Sequence, residues 1–186
     1  TINVRYNYDL GANGSILAKA GYINGKLADN NSSKMYGLFL GYIADQFSVT
    51  ASYAAGDHTP QGARESSFTT PNGNTVHSFS NGAKNKYNGW DVGASFSFGP
   101  NYYSTIRATY GENEIKRNGD DYLFIADSYN EGGKDKVKSW AVGFEQKLSP
   151  RTRAWLEYGA EETTYQQVNI DKKKDNVISI GMRHDF

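Results

Sequence analysis

The sequence predicts an all-β fold, a transmembrane antiparallel up-and-down β-barrel. Three observations predict it. Strand-length segments alternate large apolar side chains with small, polar or charged ones at period 2. The connections between segments alternate short, long, short, long. Aromatic side chains on the apolar face collect at segment ends, with aliphatic and small residues between them.

Residues 1–10 present Ile2, Val4, Tyr6 and Tyr8 against Asn3, Arg5 and Asn7. Residues 15–25 present Ile16, Ala18, Ala20 and Tyr22; residues 35–44 present Tyr36, Leu38, Leu40 and Tyr42, with Gly37, Phe39 and Gly41 between. Residues 47–56 set Phe47, Val49, Ala51 and Tyr53 against Ser48, Thr50 and Ser52. Residues 89–99 set Trp90, Val92, Ala94, Phe96 and Phe98 against Asp91 and small residues. Residues 102–111, 138–148, 152–160 and 176–186 continue the pattern, giving nine predicted strands. Short turns fall near Asn13, Asp45, Pro100 and Pro150, and polar loops are expected over 26–34, 57–87, 112–137 and 163–174. Outer-membrane barrels sort short periplasmic turns and long outer loops to opposite ends in this way. Tyr8, Tyr42, Phe47, Phe98, Tyr102 and Phe186 fall on the short-turn side. Tyr22, Tyr36, Tyr53, Trp90, Tyr110, Trp140 and Tyr158 fall on the long-loop side. Two belts around an aliphatic band suit the two membrane interfaces.

Composition narrows the function. Only 38% of the chain is hydrophobic, while 20 glycines and 14 tyrosines are present. A barrel with a wet interior needs apolar residues on one side of each strand only. Twenty basic and 20 acidic residues give zero net charge, which leaves no electrostatic footprint for nucleic acid. Without cysteine there is neither a disulfide framework nor a thiolate metal site. No apolar run approaches the length of a membrane helix, so any crossing is by strands.

Closed bacterial single-chain barrels have an even strand number. Nine strands in one domain over residues 1–186 therefore predict further strands upstream. A hairpin within 62–82 would add two and leave the parity unchanged. An edge facing lipid would leave its N–H and C=O groups unsatisfied.

Three stretches are distinctive: Val92-Gly-Ala-Ser-Phe-Ser-Phe-Gly99 before a Pro-Asn turn, Leu148-Ser-Pro-Arg-Thr-Arg-Ala-Trp-Leu-Glu-Tyr-Gly159, and Ile178-Ser-Ile-Gly-Met-Arg-His-Asp-Phe186. In this order and spacing they resemble a Gram-negative general diffusion porin. The last resembles the C-terminal strand of outer-membrane barrels, in which a terminal Phe is read by the barrel assembly machinery; His184 stands where a Tyr or other hydrophobic residue is usual. The resemblance implies the C-terminal part of a roughly 16-stranded barrel. It also implies a homotrimer in the cell outer membrane, among lipid and lipopolysaccharide. The constriction-loop motif of that family, Pro-Glu-Phe-Gly-Gly in type, is not in this sequence.

In a barrel the residues opposite the aromatic face line the lumen. These are Arg5, Lys19, Asp91, Arg107, Glu145, Lys147, Arg153, Glu157, Arg183 and Asp185. Charges of both signs across a water-filled bore set which ions and small polar solutes pass. Arg107, mid-strand between Ile106 and Ala108, is the leading single candidate. The expected function is a diffusion channel, with no catalytic residue, metal or cofactor. The alternative is a structural or adhesive barrel with a plugged lumen. A third reading, a hydrolase using His58 beside Asp57 together with His77, lacks any Gly-x-Ser-x-Gly motif. Glu112 with Glu114, and Asp120 with Asp121, offer oxygen ligands to a divalent cation. The Asp171-Lys-Lys-Lys-Asp175 run offers charge to sugar phosphates.

Overall fold

A computed structural model describes residues 1–26, 32–58, 63–69, 75–81, 85–125, 128–165 and 172–185. The predicted alternation is realised as a run of antiparallel strands. They are β1 (Ile2–Asp9), β2 (Ser15–Lys26), β3 (Ser32–Ile43), β4 (Phe47–His58), β5 (Ala63–Thr69) and β6 (Thr75–Asn81). β7 (Asn85–Phe98), β8 (Ser104–Ile125), β9 (Ser128–Ser149), β10 (Thr152–Tyr165) and β11 (Lys173–His184) follow. Nine of them pair in the order β1-β2-β3-β4-β7-β8-β9-β10-β11, so each strand lies beside its neighbour in sequence apart from one excursion. All nine predicted strands are present. Among the described residues, β1 and β11 are the two edges of this path.

The short turns all lie at one end. Gly11–Asn13 and Pro100–Tyr102 are single 3-10 turns. Gly14 has φ 94°, and a Cβ there would run into the Ile43 carbonyl, so this turn takes glycine.

Two of the expected loops are strands instead. Within 57–87 the chain forms the β5–β6 hairpin, and β6 pairs with the far end of β8 through Val76↔Ile125 to Ser80↔Asp121. Within 112–137, β8 and β9 continue, each 22 residues long, with their ladder interrupted between Arg117 and Tyr122 and resumed from Tyr122↔Glu131. Such a strand spans roughly 70 Å, whereas a tilted crossing of a bilayer takes about 9–11 residues. The remainder projects past the apolar band with water available to both faces, so it needs no period-2 hydrophobicity.

The sheet is a single layer. Leu17 is the one buried hydrophobic residue among those described. The accessible surface is 12140 Å². A folded soluble monomer of this mass would show roughly 8,900 Å². What the fold exposes is organised. The registers Ile2↔Tyr22, Tyr22↔Tyr36, Leu38↔Tyr53, Tyr53↔Trp90, Phe96↔Ile106, Ile106↔Phe144, Leu156↔Phe144 and Leu156↔Ile180 run one apolar face across all nine strands. Its side chains stand open, up to 80% exposed at Ile180. Toward the long strands the aromatic rings pair: Tyr36 with Tyr53, Trp90 with Tyr110, and Trp140 with Tyr158, at 6.2, 5.6 and 5.4 Å between centroids. Near the short turns Tyr42 meets Phe47, and Phe96 stacks on Phe98. Phe186 lies outside the described residues.

The polar face and its charge cluster

The opposite face carries all ten candidate lumen residues, because the same alternation that turns Ile106 outward turns Arg107 to the other side. Arg5, Lys19, Asp91, Arg107, Glu145, Lys147, Arg153, Glu157 and Arg183 all sit at polar-face positions of the ladder, and Asp185 follows β11. The structure does not gather them into one site. Nine of them fall into three groups, the first two sharing Arg153, and Asp91 stands outside all three.

The first group is a four-residue cluster. Arg107 on β8 stands in register with Gly143 on β9, which is in turn opposite Glu157 on β10. Nη2 of Arg107 donates to Oε2 of Glu145 at 3.2 Å. Nε lies 3.2 Å from Oε1 of Glu157, an ion pair without hydrogen-bond alignment, since that enclosed N–H has no acceptor in line. A Cβ at Gly143 would come 3.0 Å from Glu157 Cγ and 3.2 Å from Arg107 Cγ. Residue 143, having no side chain, thus leaves the guanidinium room to cross β9 without either neighbour giving way. Arg153 Nη1 stands 3.9 Å from Glu145 Oε1. Two arginines and two glutamates sum to zero charge. With Arg107 at 40%, Glu145 at 15% and Glu157 at 38% exposure, these pairs are worth about 0–1 kcal/mol each. They fix where the charges stand rather than holding the sheet together.

The second group lies at the short-turn end. Lys147, Arg153 and Arg183 share one cross-strand row, and Arg183 Nε bonds Asp185 Oδ1 at 2.7 Å. The third group is Arg5 opposite Lys19 on β1 and β2. Asp91 stands apart on β7 and accepts from the Ser52 hydroxyl.

Two aromatic residues that the alternation puts on this face were given no role from sequence. Phe39 lies with its ring edge 3.1 Å from where a Gly41 Cβ would be, and Lys19 Nζ sits 5.1 Å from its centroid. Trp155 lies over Gly181, where any Cβ would fall inside its ring. An aromatic at a polar-face position with a glycine at hand for the ring to lie on is the signal that finds both.

Beyond the upper aromatic row the apolar side becomes charged. Glu112 receives Tyr110 Oη at 2.7 Å and has Lys136 and Lys138 at 3.5 and 3.6 Å. Lys134 Nζ bonds Glu114 at 2.8 Å and holds that carboxyl below the usual carboxylate range. Lys172, at 2.7 Å, does the same for Glu162, helped by Lys174. Lys173 pairs with Asp175 at 2.7 Å. The carboxylates proposed for a divalent cation thus hold lysines, while the side chains of Asp120 and Asp121, and all of Asp171, lie outside the described residues. His58 and His77 have backbone places on β4 and β6, with side chains outside the described set. Among the described residues no three His, Cys, Asp or Glu side chains gather as a metal site. Nor is any helix long and apolar enough to cross a membrane, which says nothing of strands.

A single-layer antiparallel wall, apolar with aromatic rims on one face and charged on the other, defines the class of β-sheet membrane proteins. Residues 1–166 match the model of the Gram-negative porin family, and the chain belongs to that family. The match ends before β11, so the likeness of Ile178 to Phe186 rests on sequence alone. Searches among curated proteins and among solved structures returned no match.

Proposed function

We propose that this chain builds part of the wall of a water-filled outer-membrane channel for passive diffusion of ions and small hydrophilic solutes. The observation that carries the reading is the division of the sheet into two continuous faces. A strand wall in lipid must satisfy its backbone internally and keep its charges on the wet side. Between the aromatic rows, the strands inside the path pair on both sides and the charged side chains stand opposite the apolar face, which supports the reading.

On this reading the apolar face meets outer-membrane lipid. An open hollow of about 570 Å³ on that face, lined by Ala94, Ala108, Val142, Phe144, Leu156 and Tyr158, suits an acyl chain. The charged flanks above the aromatic row meet lipopolysaccharide. The ten lumen residues act on the passing solute through their field, with no covalent step, cofactor or nucleic acid involved. Cations and anions set side by side along a bore favour small polar solutes over apolar ones, which gain nothing from the field and must displace the water it orders. The working unit is a homotrimer assembled by the barrel assembly machinery, with Phe186 in the assembly signal.

Insertion of the native full-length protein into planar bilayers tests the reading. Stepwise conductance of uniform size, roughly proportional to bulk salt conductivity, is expected. A folded, inserted barrel without conductance would reject the channel and favour a plugged structural or adhesive barrel.

A further inference from the structure

Arg5 and Lys19 face each other directly across β1 and β2. Like charges placed so repel, and native sheets avoid the arrangement unless something offsets it. Neither has an acidic partner among the described residues. Lys19 instead lies over the Phe39 ring at 5.1 Å, on the next strand in the same row. The edge of that ring lies over Gly41.

The row continues to Ser52 and then Asp91. Asp91 is three strands from Lys19, roughly 14 Å at the usual strand spacing. That exceeds the Debye length of about 8 Å in physiological salt. Its carboxylate already accepts from Ser52. Among the described residues the cation pair therefore has no compensating charge nearby, unlike the neutral Arg107 cluster across the sheet.

Beside the pair the wall is hollow. Gly21 and Gly37 stand opposite each other and leave a floor without side chains. The hollow, about 440 Å³, is bounded by Arg5, Lys19, Phe39 and Ser52, with Asn3 leaning over Gly21. Two cationic donors, an aromatic wall and a flat apolar floor are what a small anion with an organic body needs. We propose that this hollow is a binding subsite for small organic carboxylates. The carboxylate sits between the Arg5 guanidinium and the Lys19 ammonium, and the body of the molecule rests on the glycine floor against Phe39. Phe39 is also a positioning residue, since it holds the ammonium on the lumen wall.

The subsite deepens the channel reading by giving a permeating anion a place to pause, but it is tested by binding rather than transport. The native full-length protein in lipid nanodiscs is dialysed against radiolabelled benzoate, with empty nanodiscs as background. Saturable binding is expected, with benzylamine failing to compete and inorganic phosphate competing more weakly than unlabelled benzoate. Lys19→Met and Arg5→Gln should each weaken benzoate about tenfold, the effect of one charge-assisted contact. Phe39→Ala should weaken it several-fold. No saturable binding, or affinity unchanged in both charge variants, would overturn the subsite. Phosphate competing as well as benzoate, with Phe39→Ala without effect, would overturn the organic specificity. Arg5→Gln reads the pair even if Lys19→Met does not fold. Absence of conductance with benzoate binding intact would fail the channel and leave the subsite standing.

Discussion

Ile106→Arg is expected to cost about 2–4 kcal/mol of folding stability in lipid, the depth-dependent penalty of a cation on the outer face of a strand barrel. Ile106 lies midway between the aromatic rows on β8, in register with Phe96 on one side and Phe144 on the other, and is 49% exposed in the sheet. Nothing polar on that face can receive the guanidinium. Three residues on, Thr109 points to the other face, with Gly93 and Ala141 as its small cross-strand neighbours. Thr109→Arg should cost no more than about 0.5 kcal/mol, as for an ordinary wet position. Urea titration of both variants in lipid vesicles, followed by tryptophan fluorescence, compares them directly. Equal costs, or the reverse order, would contradict the assignment of faces.

The second large effect concerns the neutral cluster. Glu145→Gln with Glu157→Gln keeps shape and removes both negative charges, leaving Arg107 and Arg153 uncompensated. One elementary charge about 7 Å from a passing ion changes its energy by roughly 0.6 kcal/mol even in water, close to threefold in occupancy. Two such charges should raise the chloride-to-potassium permeability ratio several-fold, and Arg107→Gln should shift it the other way. The reversal potential of the full-length channel under a salt gradient reads both. If neither variant moves it, the cluster lies off the ion path.

Most of the wall was legible in the sequence. Residues such as Trp90, Val92, Ala94 and Phe96 declare a strand and its buried-in-lipid face at once, because lipid and water impose opposite demands on alternate residues. The same logic hid the projecting ends of β8 and β9. Glu112, Asn113, Glu114 and Lys116 are polar whichever way they point, so the period vanished where both faces are wet, though the ladder persists. The β5–β6 hairpin was foreseen only as an option within 62–82, for the same reason.

The candidate site was legible as a face but not as groups. Sequence put Arg107, Glu145 and Glu157 on one side; only register sets 107 against 143 and 157. Gly143 reads in sequence as merely small. Its role, to let a guanidinium pass over β9, depends on what stands two strands apart. Arg107 was the leading candidate on its own, whereas the structure shows it held between two carboxylates. Arg5 and Lys19, given no special weight in sequence, are the pair left without an acid among the described residues.

The central claim is that alternate residues of one strand meet lipid and water. This chain has no cysteine, so a single cysteine placed along β8 meets no competing thiol within it. The measurement is labelling of cysteines at positions 105 to 110 by a charged, membrane-impermeant thiol reagent, with the full-length protein in lipid vesicles. Positions 105, 107 and 109 should label quickly and 106, 108 and 110 at background. Uniform labelling, or the opposite alternation, would contradict the account.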